Sequence, residues 1–301
     1  MLDIEREIID LIRIKGPLTG LEIKKTIDAD NLALWKTCRV SKKLRVKTSG
    51  KRYLRLDRHV EGLARFSPSI LREFLTYSVV GLTSSPMLLD KRCAEVTDRI
   101  HRISRHKFEL AKKIVSDIIE EFNNKTSEIC FIIAGDIVYG MAHDIPRPER
   151  STGKLVKGSD IDLVAIVDDS MIDNDFNILD ELIYKKKYRM LIDPSINEEV
   201  DYKIKKPALV KKQARFDNFK NMVASKILQE GLLLQGNKDL YQTIKSILKI
   251  NGVMEKLDEF EKAAGIFREK AEKAILLEDL DKTAVEEMHL FYSAEEFEEF
   301  E

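Results

Sequence analysis

Apolar residues in the first part of the chain recur at helical spacing and then give way to two short β-like runs. The first predicted helix ends at Gly16-Pro17, and its apolar face consists of Leu2, Ile4, Ile8, Ile9, Leu11 and Ile12. The capping box Thr19-Gly20-Leu21-Glu22 opens a second helix, and Asp30 can cap a third. The runs 44–46 and 53–56 flank a Thr-Ser-Gly turn, so we predict a β-hairpin after the three helices.

The next segment, residues 59–126, is predicted to be helical. A turn at Ser67-Pro68 precedes a helix over 70–80, and a longer helix follows over about 87–123. One face of the longer helix is apolar, with Ile100, Ile103, Phe108, Ala111, Ile114, Val115 and Ile118. This helix serves either as a connector or as a dimer-forming helix, so a homodimer is one expected assembly.

From residue 127 onward the pattern predicts strands that alternate with helices. Three apolar runs have the length and composition of strands: 129–134, 161–167 and 200–204. We expect the third of these strands to be more exposed than the other two. Between the last two, 180–188 is predicted to be helical and Leu191-Ile192 to add an edge strand. Further helices are predicted over 208–234 and 238–290, with a break at Asn251-Gly252. The predicted fold class is therefore α+β.

Charge is distributed unevenly along this chain of 301 residues with a formal net charge of -1. Residues 1–58 hold 15 Lys and Arg against 8 Asp and Glu, whereas residues 255–301 hold 6 against 16. A basic N-terminal segment suits a polyanion, and we interpret the acidic end as a tail or docking peptide. The three cysteines are odd in number and far apart, which encodes neither a disulfide framework nor a zinc cluster. The sequence shows neither a signal-peptide pattern nor an apolar run long enough to cross a membrane. We therefore expect a cytoplasmic protein with no membrane contact.

The chemistry-bearing residues of the chain cluster in Gly158-Ser159-Asp160-Ile161-Asp162-Leu163. Two aspartates separated by one residue point to the same side of a strand. Carboxylates this close repel each other unless cations lie between them. A pair of divalent metals is the usual solution, and it serves phosphoryl or nucleotidyl transfer.

The same run, together with Ala134-Gly135-Asp136-Ile137-Val138-Tyr139-Gly140 and a later acidic strand, resembles the DNA polymerase beta-like nucleotidyltransferase superfamily. The resemblance covers roughly residues 127–237 and includes a helix-to-strand closure over 226–236. It implies two Mg²⁺ ions, with Mn²⁺ as a substitute, held by Asp160, Asp162 and Asp201. It also implies that Asp201 helps to deprotonate the attacking hydroxyl, and Glu199 is the second choice for this third acid.

The resemblance also implies a nucleotide site that begins where the strand over 129–134 ends. Gly135 allows a tight turn, and it lies with Asp136 and Ser159 near the expected phosphates of a nucleoside triphosphate. This chain has Asp136 where the family has a serine, and a carboxylate repels a triphosphate unless a cation neutralises it. An insert of 17 residues between Gly140 and Gly158 supplies candidate cations for that purpose, namely Arg147, Arg150 and Lys154.

The first 58 residues resemble a winged helix-turn-helix in topology and length. Modules of this kind place the third helix in the major groove and the wing near the backbone of DNA. Contacts to DNA or RNA phosphates would come from Lys36, Arg39, Lys42, Lys43, Lys51 and Arg52, with Arg45 and Lys47 nearby. Winged helices also bind proteins, and that alternative stays open.

Four segments follow from these patterns: a winged helix-turn-helix over 1–58, a helical connector over 59–126, a nucleotidyltransferase core over 127–237 and a helical C-terminal region over 238–301. The leading hypothesis is an enzyme that transfers a nucleoside monophosphate from an NTP to a hydroxyl of a nucleic acid or protein. The alternative is a nucleic-acid-binding regulator with a non-catalytic, nucleotide-sensing transferase domain, which Asp136 favours. A third option is an interaction scaffold.

Overall fold

A computed structural model describes residues 2–122, 127–149, 152–278 and 280–293 of the chain. Helices account for 57% of the structure and strands for 18%, in several small sheets, which fits the α+β class. The helices are α1 (Leu2–Lys15), α2 (Gly20–Lys24), α3 (Asn31–Val40), α4 (Ile70–Arg72), α5 (Pro86–Glu121), α6 (Asp136–Tyr139), α7 (Asp173–Ile192), α8 (Pro207–Gln213), α9 (Phe219–Glu230), α10 (Lys238–Ile250), α11 (Val253–Leu277) and α12 (Lys282–Glu287). The strands are β1 (Leu18–Thr19), β2 (Leu44–Thr48), β3 (Tyr53–Leu56), β4 (Ala64–Ser67), β5 (Ser78–Leu82), β6 (Ile129–Ala134), β7 (Pro146–Pro148), β8 (Leu155–Lys157), β9 (Ile161–Val167), β10 (Val200–Lys205) and β11 (Leu232–Gly236).

The chain divides into two compact units. The first comprises residues 1–100 and 260–301, and the second comprises residues 101–259. Both boundaries fall within helices, α5 and α11. This division differs from the four predicted segments, because residues from the C-terminal part of the chain belong to the first unit.

In the first unit, β2 does not pair with β3, so the predicted hairpin is wrong. The strand order of its three-stranded sheet is β1-β5-β2, with β5 antiparallel to both neighbours. β3 pairs instead with β4. The physical reason lies in β5, whose fully buried Val80 lies opposite Leu18 of β1 and Val46 of β2. β5 also ends the helix that was predicted over 70–80, since helical turns stop at Tyr77.

The C-terminal part of the chain completes the core of the first unit. Ile275, Val285 and Phe291 are fully buried in the same cluster as residues of α1 and α3. The ring of Phe291 packs edge-on against Trp35 of α3, with centroids 5.4 Å apart. The backbone N–H of Ile70 also donates to the carbonyl of Leu290. Helix α3 is therefore held by both ends of the chain.

The second unit is built on a four-stranded sheet with the order β10-β9-β6-β11. β9 and β10 are parallel, whereas β6 is antiparallel to β9 and to β11. One apolar core joins this sheet to α5 and α7. The edge strand predicted at Leu191-Ile192 is wrong: α7 runs to Ile192, because Leu191 continues the buried face of the helix with Leu179 and Ile183. The insert after Gly140 contains a short hairpin, β7 with β8.

Candidate metal centre

Two adjacent parallel strands bring three aspartates together. Asp162 is the second residue of β9 and Asp201 the second of β10, and the two lie directly opposite each other. Asp160 comes immediately before β9, two residues from Asp162, and so lies on the same side of the chain. One carboxylate oxygen from each of the three lies within 4.8 Å of the others. This arrangement can hold a metal ion, and its hard oxygen donors suit Mg²⁺ or Mn²⁺.

Two cations partly offset the repulsion between these carboxylates. Lys187 of α7 lies 3.0 Å from Asp201, whose side chain is 59% exposed. The guanidinium of Arg147 lies 3.9 Å from Asp160. Asp160 and Asp162 are half-buried and Asp201 is exposed, so a divalent ion could reach the acids and replace part of this compensation.

Gly135 lets Asp162 occupy its position. Gly135 follows β6, whose last residue, Ala134, is opposite Asp162, and its φ is +73°. A Cβ at Gly135 would lie 2.3 Å from the Oδ2 atom of Asp162, well inside van der Waals contact. The glycine is therefore required both for its backbone conformation and for the position of the carboxylate.

We expect Gly135→Ala to reduce the affinity for Mn²⁺ by more than about tenfold, because a metal ligand displaced by about 1 Å loses its geometry. Isothermal titration with Mn²⁺ measures this effect. Gly153→Ala is the matched control: Gly153 also has a positive φ, of +66°, but a Cβ there meets no atom within 4 Å. Both variants carry the backbone strain of about 1–2 kcal/mol. Equal Mn²⁺ affinities in the two variants would mean that Gly135 does not position Asp162.

Asp136 and Ser159 hold the two turns of the site together. The Ser159 hydroxyl donates to Oδ2 of Asp136 at 2.8 Å and accepts from the backbone N–H of His143 at 3.2 Å. The Ser159 N–H in turn donates to the His143 carbonyl. The Asp136 carboxylate is therefore engaged by a hydroxyl of the protein. Helix α6, which begins at Asp136, has only four residues.

The cations predicted in the insert have different surroundings. Arg147 is largely buried: its Nε donates to the Gly158 carbonyl at 2.8 Å, and its terminal nitrogen lies 2.8 Å from Glu199. Lys154 is exposed. Arg150 lies outside the described residues. Of the two described cations, Arg147 is the one that lies beside Asp160.

Glu199, the second choice for the third acid, is engaged by Arg147 rather than by the aspartate cluster. Burial raises the pKa of the Glu199 carboxyl, and the Arg147 guanidinium opposes this rise. Arg147 thus links Glu199 to Asp160 across the rim of the site.

Two lysines near the site are missing from the sequence-based prediction. Lys187 contacts Asp201, and no local pattern identifies a helix lysine that reaches a neighbouring strand. Lys107 of α5 is 1% exposed, pairs with buried Glu198 and donates to the Lys157 carbonyl at 2.7 Å. A signal for Lys107 was present, because it falls on the apolar face of α5, four residues after Ile103 and four before Ala111.

The predicted nucleic-acid contacts of the first unit divide into two groups. Lys42, Lys43 and Lys51 are exposed, and Lys36 is half-buried. The other two are already paired with carboxylates. Arg39 lies 3.7 Å from Glu272, and Arg52 lies 2.5 Å from Glu73 and 2.9 Å from Glu272. Part of the positive charge near α3 is therefore neutralised within the protein.

Comparison of the chain with family models, with curated proteins and with solved structures gives no match. No helix in the described parts of the chain combines the length and the apolar character needed to cross a membrane.

Proposed function

We propose that the protein is a metal-dependent nucleotidyltransferase, which moves a nucleoside monophosphate from an NTP to a hydroxyl of a nucleic acid or protein acceptor. The observation that carries this proposal is the convergence of Asp160, Asp162 and Asp201 from two parallel strands, next to a glycine turn. The order of these elements resembles the DNA polymerase beta-like nucleotidyltransferase core. Because one fold can carry many unrelated functions, the three carboxylates support the proposal more than the fold does.

Each acid has a role in this proposal. Asp160 and Asp162 would hold Mg²⁺, or Mn²⁺ in its place, with Asp201 as the third ligand. Bound divalent ions would neutralise the charge of the phosphates and lower the pKa of the acceptor hydroxyl. Asp201 is the most exposed of the three, so it is placed to meet the acceptor and to take up the proton of its hydroxyl.

Arg147 is proposed to neutralise the phosphates of the NTP. It is the guanidinium nearest to Asp160 among the described residues, and it can form bidentate contacts with phosphate oxygens. Arg147 also donates to the carbonyl of Gly158, and the next residue, Ser159, donates to the Asp136 carboxylate.

We expect Arg147→Gln to weaken NTP binding by about tenfold, since a charge-assisted hydrogen bond contributes about 1.5–3 kcal/mol. Fluorescence titration with a labelled NTP measures the dissociation constant. Lys154→Gln removes an exposed charge from the same insert and should change the constant less than threefold, roughly the range of an exposed charge pair. Unchanged affinity in Arg147→Gln would remove the insert from the phosphate site.

The first unit supports a role in binding nucleic acid. Helices α1, α2 and α3 precede β2, and the sheet order β1-β5-β2 resembles a winged helix-turn-helix in which residues 49–77 replace a short wing. The exposed lysines Lys42, Lys43 and Lys51 would contact phosphates.

The alternative function is that of a nucleic-acid-binding regulator, whose transferase domain senses a nucleotide without turnover. The Asp136 carboxylate at the place of the family's serine is the observation that favours it.

Labelled nucleotides test the proposed activity. The protein is incubated with Mg²⁺ or Mn²⁺, total RNA and cell lysate, and with an NTP that carries ³²P at either the α or the γ position. Nucleotidyl transfer moves only the α label to the acceptor and releases pyrophosphate. Transfer of the γ label would instead indicate a kinase, and NTP binding with no transfer would favour the regulator.

A further inference from the structure

The segment that follows Asp201 along the chain is strongly basic. Residues 202–226 contain eight Lys and Arg and one acidic residue, Asp217, whereas the whole chain has a net charge of -1. The single acid is used locally, because its carboxylate accepts hydrogen bonds from Asn218 and Asn221.

Five of these basic side chains are exposed and form what we call the basic surface: Lys203, Lys211, Lys212, Arg215 and Lys220. No carboxylate in the described parts of the chain forms an ion pair with any of the five. The other three have structural partners. Lys205 is buried and donates to Gln213, and its burial lowers its pKa to about 8. Lys206 donates to the Met171 carbonyl, and Lys226 pairs with Glu230.

The basic surface begins at the aspartate cluster. Lys203 is two residues after Asp201 on β10, so the two side chains point to the same side of the strand, about 7 Å apart along it. β10 is an edge strand, which leaves this side chain accessible. A polyanion lying along the surface would therefore reach Asp201 at one end.

Helix α8 presents the next part of the surface. Val210, Gln213 and Ala214 are buried, and the Gln213 side chain accepts from Lys205 while its carbonyl accepts from Ser225 of α9. These contacts fix α8 between the end of β10 and α9. Lys211 and Lys212 are consequently presented to solvent by a fixed helix, and Arg215 is exposed in the turn that follows it.

We propose that the basic surface binds the phosphodiester backbone of a nucleic-acid strand and directs the terminal hydroxyl of that strand toward Asp201. Exposed basic side chains that follow one another from β10 through α8 to α9 supply affinity through phosphate contacts and release of counterions. The role of this hydroxyl as the acceptor of nucleotidyl transfer rests on the proposed function. The binding of the strand to the basic surface does not depend on it. The aspartate cluster leaves two acceptor classes open, a nucleic acid or a protein, and the basic surface favours the nucleic acid.

The salt dependence of binding tests the basic surface. Fluorescence anisotropy with labelled single-stranded RNA and DNA oligonucleotides gives the binding constant of the full chain over a range of KCl concentrations. Each phosphate contact to a single strand contributes about 0.7 to the slope of log K against log salt. The variant Lys211→Gln/Lys212→Gln/Arg215→Gln should therefore lower the slope by about 2 and the affinity at 0.1 M salt by at least about tenfold.

A matched control carries the same loss of charge elsewhere in the second unit. Lys112, Lys113 and Lys249 are exposed lysines of α5 and α10, and their triple replacement by Gln should leave the slope close to that of the unmodified protein. If the triple variant of Lys211, Lys212 and Arg215 is unstable, the single variants should each lower the slope by about 0.7. Equal effects of the two triple variants, or no effect of either, would overturn the proposal.

A competition experiment separates the possible ligands, and the transfer assay separates this proposal from the proposed function. Competition by polyglutamate as effective as that by unlabelled RNA would indicate an acidic protein as ligand and would contradict the proposal. The anisotropy assay needs no turnover, so its result is independent of the proposed activity. A lowered slope without any nucleotidyl transfer would support the basic surface while contradicting the proposed function.

Discussion

Asp162→Asn should reduce nucleotidyl transfer by about a thousandfold or more. Asp162 lies between the other two acids of the cluster, opposite Asp201 on the neighbouring strand and two residues from Asp160. Metal ions contribute several kcal/mol to the stabilisation of the transition state, and each 1.36 kcal/mol corresponds to a factor of about ten in rate. The neutral amide cannot replace the charge of the carboxylate. The measurement is the rate of transfer of the α label, and Asp160→Asn should have a similar effect.

Asp168→Asn provides the control for this prediction. Asp168 follows the last residue of β9, at the other end of the strand from the cluster, and among the described residues its carboxylate accepts hydrogen bonds from Ser170. This variant should keep nearly the full rate. Full activity in Asp162→Asn, or equal losses in the two variants, would show that the cluster is not the catalytic metal site.

Lys107→Ala should lower the free energy of unfolding by about 3–5 kcal/mol, because it leaves Glu198 as an unpaired charge in the interior. Both side chains are almost fully buried. Burial raises the pKa of Glu198 and lowers that of Lys107, although each group is opposed by its partner. The cost of removing the two charges from water is therefore large, and the pair persists because its members compensate for each other. Urea denaturation, followed by circular dichroism, gives the change.

The double variant Lys107→Met/Glu198→Leu separates charge from packing. Replacing both members of a buried ion pair by apolar residues is often nearly neutral. We expect it to be more stable than Lys107→Ala by at least about 2 kcal/mol. A double variant as unstable as the single one would mean that the hydrogen bond from Lys107 to the Lys157 carbonyl, not the buried charge, dominates.

Local patterns were sufficient to predict the strands that form the site. The apolar runs of β6 and β9 have the predicted bounds, and β10 extends one residue further than predicted. Alternation along a strand also explains why Asp160 and Asp162 lie on one side. The register that places Asp201 beside Asp162 is a long-range property, and only the resemblance to a family gave it in advance.

The predicted hairpin is wrong because the strand that pairs with β2 is distant along the chain. β2 pairs with β5, about 30 residues later, instead of with the adjacent β3. Arg52 likewise has partners from other elements, Glu73 and Glu272, and its contact with phosphates stays a prediction. Propensity and spacing describe a segment alone, so they do not reveal which of two suitable partners a strand or a cation takes.

The binding of Mn²⁺ in the presence of a non-hydrolysable NTP analogue is the decisive test of the metal site, because it does not require the acceptor. Electron paramagnetic resonance counts the bound ions. We expect about two Mn²⁺ per chain for the unmodified protein and for Asp168→Asn, and a loss of both ions in Asp162→Asn. An unmodified protein that binds no Mn²⁺ with the analogue, or an Asp162→Asn variant that binds as much as the unmodified protein, would contradict a metal-dependent nucleotide site at Asp160, Asp162 and Asp201.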